Sequence, residues 1–444
     1  MNLELYRETV EFATSEIAQK VLATEPALQS RLLQLDGDLQ PLIRAIGLAV
    51  TEKVMNTCAN TAIDQARERG MTTDQKGEVA IMTVYGKAVV TSPRLRGTRG
   101  HRSTYRPVHA ELGLAGRMRS EAVERALCDF GAEASFEQAA RRFTEHYGID
   151  VDRTSVLRIV HDHAAQAEEF VAKKLACAEQ AFEQTVRDRP GVDEMLLGIN
   201  GCMLRTGTLH VAQGHETTAV RGLPKRVRQT EWRDVRLALC RPLGEVEPTY
   251  VGAMDSYPAV VAQLFQAAVS RGLSSRTQAI AVADGGVGLY EELDAQFPKL
   301  SFILDKYHLI EHLGEAAEAL GLGDDAKKAW TSERLRRLSM GEVDAVILEL
   351  KRQQSDGAER CARLAKHLQR FRKCVDYNVN EALGWPVGSG ETESAHRSIP
   401  QRRMKLPGAW WLPEHINPMM SLRIMRQNGW WGEYWAGHAQ RLAA

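Results

Sequence analysis

The chain has 444 residues, 44% hydrophobic and 26% charged, which is too long for one ordinary core, so two or three domains are expected. Its 57 basic residues are balanced by 57 acidic ones, which excludes a partner held by overall charge and leaves local patches as the electrostatic route to nucleic acid. The seven cysteines (Cys58, Cys128, Cys177, Cys202, Cys240, Cys361, Cys374) are scattered, odd in number and never spaced CxxC, arguing against a disulfide framework and a zinc ribbon. With no run of 18 apolar residues and no signal-like start, the reading is a cytoplasmic protein without a membrane partner.

Residues 1–75 carry Leu5, Val10, Phe12, Ile17 and Val21 at helical spacing and read as a packing or dimerisation segment. Residues 76–119 open as alternating strand and become a basic arm, in which Lys87, Arg94, Arg96, Arg99, Arg102 and Arg106 meet only Glu78 before Glu111. Such a run is either a solvated loop or a flexible segment that follows a phosphate backbone. Residues 120–188 are helical. A helix near Phe136–Tyr147, the turn "GIDVD" and a second helix opening on Arg153, Thr154 and Ser155 make a helix-turn-helix or an ordinary helical hairpin.

After "RDRPG" three strand-like runs follow, Met195–Ile199, Thr208–Val211 and Val235–Leu239; Asn200 and Gly201 read as the tip of the first. A helix is expected over Tyr257–Arg271. Two further strands end at Asp284 and at Asp305. Strands alternating with helices define an α/β core over 192–307 and 384–410, interrupted by a charged helical insertion over 308–383. Residues 411–444 form an aromatic helical segment, in which Trp430, Trp431 and Trp435 read as core or interface anchors.

Phosphoryl transfer by paired cations needs carboxylates converging on two ions roughly 3.5–4 Å apart, and hard cations select oxygen ligands. Asp284 ends a strand in an Asp-Gly turn, where a helix cap is the simpler reading. Glu393 lies three residues beyond Gly390 and four before Arg397, spacings that also suit a capping box and an ion pair. Asp305 and His308 read either as a helix cap or as groups beside the site. Arg397, Arg402, Arg403 and Lys405 follow Glu393, and Lys225, Arg226 and Arg228 precede Trp232; each set faces phosphate or is a solvated face.

Taken in order, "EWRDVRLAL", "VADGG", "ILDKYHLIEHL", "GSGETESAHRSIPQRRMK" and "NGWWGEYW" resemble the motifs of the ISKra-type insertion-sequence transposases, relatives of the Mutator-like group. The resemblance runs from about Met82 to Trp435. It implies an RNase H-like catalytic core with an all-helical insertion, preceded by a helical, helix-turn-helix DNA-binding region. It implies two Mg²⁺ or Mn²⁺ ions, double-stranded DNA as substrate at terminal repeats and target, a homodimer or higher assembly on DNA, and a place at the nucleoid. Asp284 and Glu393 match the second and third catalytic acids and metal ligands of the family. The first should be an aspartate followed by glycine, and this chain has Asn200-Gly201.

Asparagine keeps the shape of aspartate but replaces its charge with a neutral oxygen and an NH₂ donor. Three explanations stand: a chain that binds DNA without cutting it, a substitution introduced to trap a complex, or a neighbouring acid, Asp193, Asp255 or Asp305, serving instead. The family's N-terminal cysteine pairs are also missing from "YRPVHAELGL".

Overall fold

Helical spacing near the start of the chain yields α1 (Arg7–Thr24) and the 34-residue α2 (Leu35–Glu68). The computed structural model describes residues 3–24, 32–97, 104–111, 118–185, 191–211, 226–297, 299–354 and 356–443. It divides into two units, Met1–Ala126 with Arg141–Val151 and Arg441–Ala444, and Leu127–Ala140 with Asp152–Gln440.

In the first unit α1 buries no residue, whereas the C-terminal half of α2 buries Ala59, Ala62, Ile63 and Ala66. Gly70, at φ 85°, then turns the chain out of the helix, so the last residues of the expected helical segment instead form β1 (Met71–Gln75). The hairpin of β2 (Glu78–Thr83) and β3 (Gly86–Thr91) closes a small core in which Val79, Ile81, Val90 and Val108 meet Ala59 and Ile63. β1 pairs antiparallel with β4 (Arg94–Gly97), and β4 with β5 (Thr104–Tyr105), ahead of the short α3 (Pro107–Glu111). Helices α4 (Glu121–Glu133) and α5 (Phe136–Tyr147) contribute residues to both units.

The second unit contains α6 (Arg153–Thr185), 33 residues long. Val156, Ile159, Val160, Ala164, Ala167, Val171 and Leu175 form its buried stripe. This stripe packs α6 into the second unit.

The sheet of this unit has five strands in the order β10-β9-β6-β7-β8, with β6 at Glu194–Val211, β7 at Arg226–Pro242, β8 at Thr249–Ala253, β9 at Gln278–Ala283 and β10 at Leu300–Leu304. β6 pairs antiparallel with β7, as β7 does with β8, while β9 is parallel to β6 and β10 to β9. The crossovers are α7 (Tyr257–Ser270) and α8 (Leu289–Gln296). The two strand-like runs either side of Asn200 are thus one strand of 18 residues, paired with β7 from Met195↔Pro242 to Val211↔Arg226. Asn200 lies inside it rather than at a tip.

A helical insertion follows β10: α9 (Lys306–Ala319), α10 (Asp324–Ser339), α11 (Val343–Lys351), α12 (Ala358–Arg370) and α13 (Tyr377–Ala382). It returns to the sheet through Tyr377 Oη, which donates to Leu304 O at 3.0 Å, and Leu304 N, which donates to Cys374 O at 2.9 Å. α14 (Gly390–His396), a π-helical turn (Arg397–Gln401), α15 (Arg402–Met404), α16 (Ile416–Gln427) and α17 (Trp431–Ala443) complete the chain. Trp435 is buried as a core anchor, whereas Trp430 and Trp431 are half-buried. All seven cysteines are free, and no helix among the described residues is long and apolar enough to cross a membrane.

α14 reaches β6 because Gly198 has no side chain: a Cβ there would stand 2.2 Å from Thr392 Oγ1 and 3.3 Å from Leu239. Gly198→Ala is expected to cost about 1–3 kcal/mol, as an overpacked core does. The cost should shrink markedly in a Thr392→Ala background, and denaturant melts of the four variants check the coupling.

Candidate active site

Side chains alternate along a strand, so Gly198 and Asn200 share the face of β6 on which Thr392 lies, and Glu393 follows Thr392 on α14. Three further contacts fix the helix and the segment before it there. His396 Nε2 hydrogen-bonds Asn200 O at 2.9 Å. Arg241 grips Glu391 through Nε and Nη2, both at 3.0 Å, and Trp385 Nε1 donates to Glu194 Oε1 at 2.8 Å. Gly388 packs on Tyr307, whose ring would lie 2.6 Å from an added Cβ, so the first glycine of "GSG" is required by a close approach.

The β6–β9 register runs to Gly198↔Val282, and Asn200 and Asp284 each stand two residues beyond that pair. Asp284 is half-buried and its Oδ1 accepts from Gly286 N at 3.1 Å. Beside this turn lies Tyr257, whose hydroxyl would meet a Cβ on Gly286 at 2.5 Å. Burial and then the Asp284 charge raise the pKa of that hydroxyl.

Asp305 both caps α9 and lies beside the site. Its Oδ1 accepts from Tyr307 N at 2.7 Å and His308 N at 2.9 Å, and its Oδ2 from Ser389 N at 2.5 Å. Burial opposes its ionisation, yet the contacts with His308 and Ser389 outweigh burial and hold the carboxyl well below the usual carboxylate range. His308 Nδ1 stands 3.4 Å from Asp305 Oδ1. That contact, against burial and aided by the charges of Asp305, Asp284 and Glu311, lifts His308 to about 9.

Ligand atoms of Asp305, His308 and Glu393 lie within 4.8 Å of one another, a cluster that does not include Asp284. Glu393 is half-buried and touches Ser389 Oγ at 3.5 Å; no ion pair with Arg397 forms among the described residues. A cavity of about 650 Å³ adjoins it, lined among others by Gly198, Val282, Tyr307, Glu391 and Glu393.

Of the three acids expected to stand in for the missing aspartate, Asp305 belongs to this cluster. Asp193 precedes β6 and is seven residues from Asn200, roughly 23 Å along a strand. Asp255 Oδ1 accepts from Ser256 N at 2.6 Å, and Asp305 accepts the three backbone N–H groups described above. The sequence reading passed over Asp234, whose Oδ1 would be 2.7 Å from a Cβ on Gly201. It lies on the Gly201 side of the ribbon, opposite Asn200, and Arg236 Nη2 neutralises it at 2.7 Å. His396 was missed as well, though its position three residues after Glu393 is a readable signal.

Several expected phosphate contacts are committed elsewhere. Arg403 is buried: Nε donates to Gly131 O at 2.9 Å and the guanidinium lies over Phe136 and Trp411. Arg94 pairs with Asp74 at 2.7 Å across β1 and β4. Ser155 Oγ donates to Asp152 Oδ2 at 2.6 Å, while Asp152 Oδ1 accepts from Thr154 N and Ser155 N, so this turn caps α6. Arg96, Arg153, Arg226, Arg228, Arg397, Arg402 and Lys405 are exposed. Arg99, Arg102 and Lys225 lie outside the described residues.

Compared with models of known families and with curated proteins, the chain matches none.

His308 titrates near 9 when folded and near ~6.5 when unfolded. Its contact with Asp305 therefore stabilises the fold fully below about pH 6.5, and that contribution fades as pH rises through about 9. The Tm difference between the parent chain and His308→Gln should be large at pH 6 and small at pH 10; a difference independent of pH would contradict the pairing.

Proposed function

We propose that the chain is an insertion-sequence DNA transposase with an RNase H-like core, its phosphodiester chemistry suppressed at Asn200. One observation carries this reading. The sheet is an antiparallel meander of three strands followed by two strands parallel to the first, in the order third, second, first, fourth, fifth. That is how an RNase H-like sheet is built. Asn200, Asp284 and Glu393 then fall on its first strand, after its fourth and on a later helix, where such a site keeps its three acids.

The donor set favours one hard cation over two. Asp284 and Glu393 offer charged oxygens, but Asn200 Oδ1 accepts from Gly201 N at 2.7 Å and brings no charge. His308, drawn to Asp305, stands beside Glu393. A Mg²⁺ or Mn²⁺ ion held by Asp284 and Glu393 would polarise a phosphodiester and activate water or a DNA 3′-hydroxyl. Exposed Arg226, Arg228, Arg397, Arg402 and Lys405 supply cations for the backbone of double-stranded DNA at the nucleoid. The loss of charge at Asn200 also favours a second reading, a derivative that binds DNA and does not cleave it.

Asn200→Asp decides between them. With terminal-repeat DNA and Mn²⁺ or Mg²⁺, the variant should cleave at least about a hundredfold faster than the parent chain, since even outer-sphere changes cost about 10–100-fold in metal affinity. Equal cleavage by both would show that Asn200 is no obstacle. Inactivity of both with intact, salt-sensitive DNA binding would favour the non-cleaving derivative.

A further inference from the structure

Beyond the sheet, β6 and β7 continue as a two-stranded ribbon, because β9 follows β6 only to Gly198 and β8 follows β7 only from Arg236. Near its base the ribbon is packed: Leu204 and Thr206 are buried, and Trp411 is bridged to Thr206. Towards its far end every residue of Leu209–Val211 and of Arg226–Gln229 is exposed, on both faces. The pairing nevertheless runs unbroken to Val211↔Arg226. A two-stranded hairpin by itself is marginally stable in water, so an extension whose side chains all face solvent adds little to the fold.

Directly paired residues share a face, so Arg226 with Val211, Arg228 with Leu209, and Trp232 with Arg205 lie on one side of the ribbon. From Arg226 to Trp232 that side holds no acid. The one acid of the stretch, Glu231, is on the other side, where Arg233 Nη2 neutralises it at 2.6 Å. Among the described residues no carboxylate pairs with Arg205, Arg226 or Arg228, and neutral groups steady two of the three. The Arg228 guanidinium lies 5.4 Å over the ring of Trp410, which itself packs over Gly207, where a Cβ would meet it at 2.7 Å. Arg205 Nη2 donates to Thr230 Oγ1 at 3.4 Å. A guanidinium held by a ring or a hydroxyl is oriented and keeps its charge for an anion. In a chain whose formal charges cancel, this exposed face is a local cationic excess.

Along the ribbon Arg226, Arg228 and the Arg205 level follow one another at roughly 7 and 14 Å, a spacing that suits a repeating polyanion rather than one small anion. Shape then selects the groove. Two strands about 4.8 Å apart, with their side chains, match the major groove at roughly 12 Å wide and exceed the minor groove at roughly 6 Å. We propose that the far end of the β6–β7 ribbon enters the major groove of double-stranded DNA, with Arg226 and Arg228 directed into it. Leu209 and Val211, exposed on the same face, supply apolar contact of the kind that thymine methyl groups take. The proposal rests on the DNA-binding reading above and adds to it the element and the groove.

The test uses the full chain and a fluorescein-labelled duplex of mixed sequence in three forms: plain, with glucosylated hydroxymethylcytosine in place of cytosine to fill the major groove, and saturated with netropsin to fill the minor groove. Anisotropy titrations should show the glucosylated duplex bound at least tenfold more weakly than the plain one, and the netropsin-loaded duplex within about twofold of it. The double variant Arg226→Gln/Arg228→Gln, altered only at exposed positions, should keep the parent's circular dichroism. It should bind plain duplex at least tenfold more weakly, with a log–log salt slope smaller by roughly 2, and should no longer distinguish the glucosylated form. Equal affinity of the parent for plain and glucosylated duplexes, or loss of binding to the netropsin-loaded one, overturns the groove. A folded double variant that keeps the parent's affinity, or that still discriminates, overturns the ribbon. Both results leave the DNA-binding reading intact, whereas failure to bind any duplex at low salt overturns both. Polyglutamate competing as well, charge for charge, as plain duplex would replace DNA with an acidic protein segment.

Discussion

The pairing of β6 with β7 is the constraint on which the second unit depends. Strands of globular proteins usually run about 3–10 residues, whereas β6 has 18 and β7 has 17, and their ladder is continuous. Only part of it belongs to a sheet. β9 follows β6 as far as Gly198, and β8 follows β7 only from Arg236 onward. Asn200 thus sits where five strands narrow to a two-stranded ribbon. On one side of it the strand is buried and packed by α14; on the other the ribbon carries Trp411 at Thr206 and increasingly exposed residues. The same ladder therefore positions the candidate active site and seats Trp410 and Trp411.

Charge at the site is arranged around the Asp305 carboxylate. Asp305 accepts three backbone N–H groups, two from the first turn of α9 and one from Ser389, so it ties the strand end, the start of the helical insertion and the loop before α14 to one point. An ionised carboxylate bonded in this way organises its neighbours. His308 answers its charge and brings a positive group next to Glu393. With aspartate at position 200, that arrangement would offer three acids and one imidazolium. With Asn200, two acids remain against it.

Much of this was legible in the sequence. Apolar runs ending in Asp284 and Asp305 marked β9 and β10, because a buried parallel strand reads as a short apolar block and its C-terminal end is where polar residues gather. The limits of α5, and the start of α7, were readable from helical spacing. The continuity of β6 was not. Asn200, Gly201 and Gly207 look like turn residues, and only the ladder from β7 keeps them extended; the glycines are there for the close approach of Asp234 and Trp410. The role of α6 was likewise hidden, since a helix opening on "RTS" beyond a turn has the same local pattern whether it enters a groove or a core.

Basic residues were the least legible of all, because sequence records charge but not where it points. Within "SIPQRRMK", Arg402 and Lys405 are exposed while Arg403 is buried under Phe136 and Trp411, and Arg423 of α16 is buried too, donating to the carbonyls of Ile399, Ala132 and Ser398. Burial lowers the pKa of both guanidiniums, that of Arg403 to about 10, so each remains charged at neutral pH. Arg423 is nearly saturated by carbonyls and by Glu133 at 3.2 Å and thereby ties the π-helical turn after α14 to α4. Arg403 has the same burial with an unmet nitrogen. Both arginines thus turn inward, and hydrogen-bond accounting, not charge, distinguishes the saturated cross-brace from the one with an unmet nitrogen.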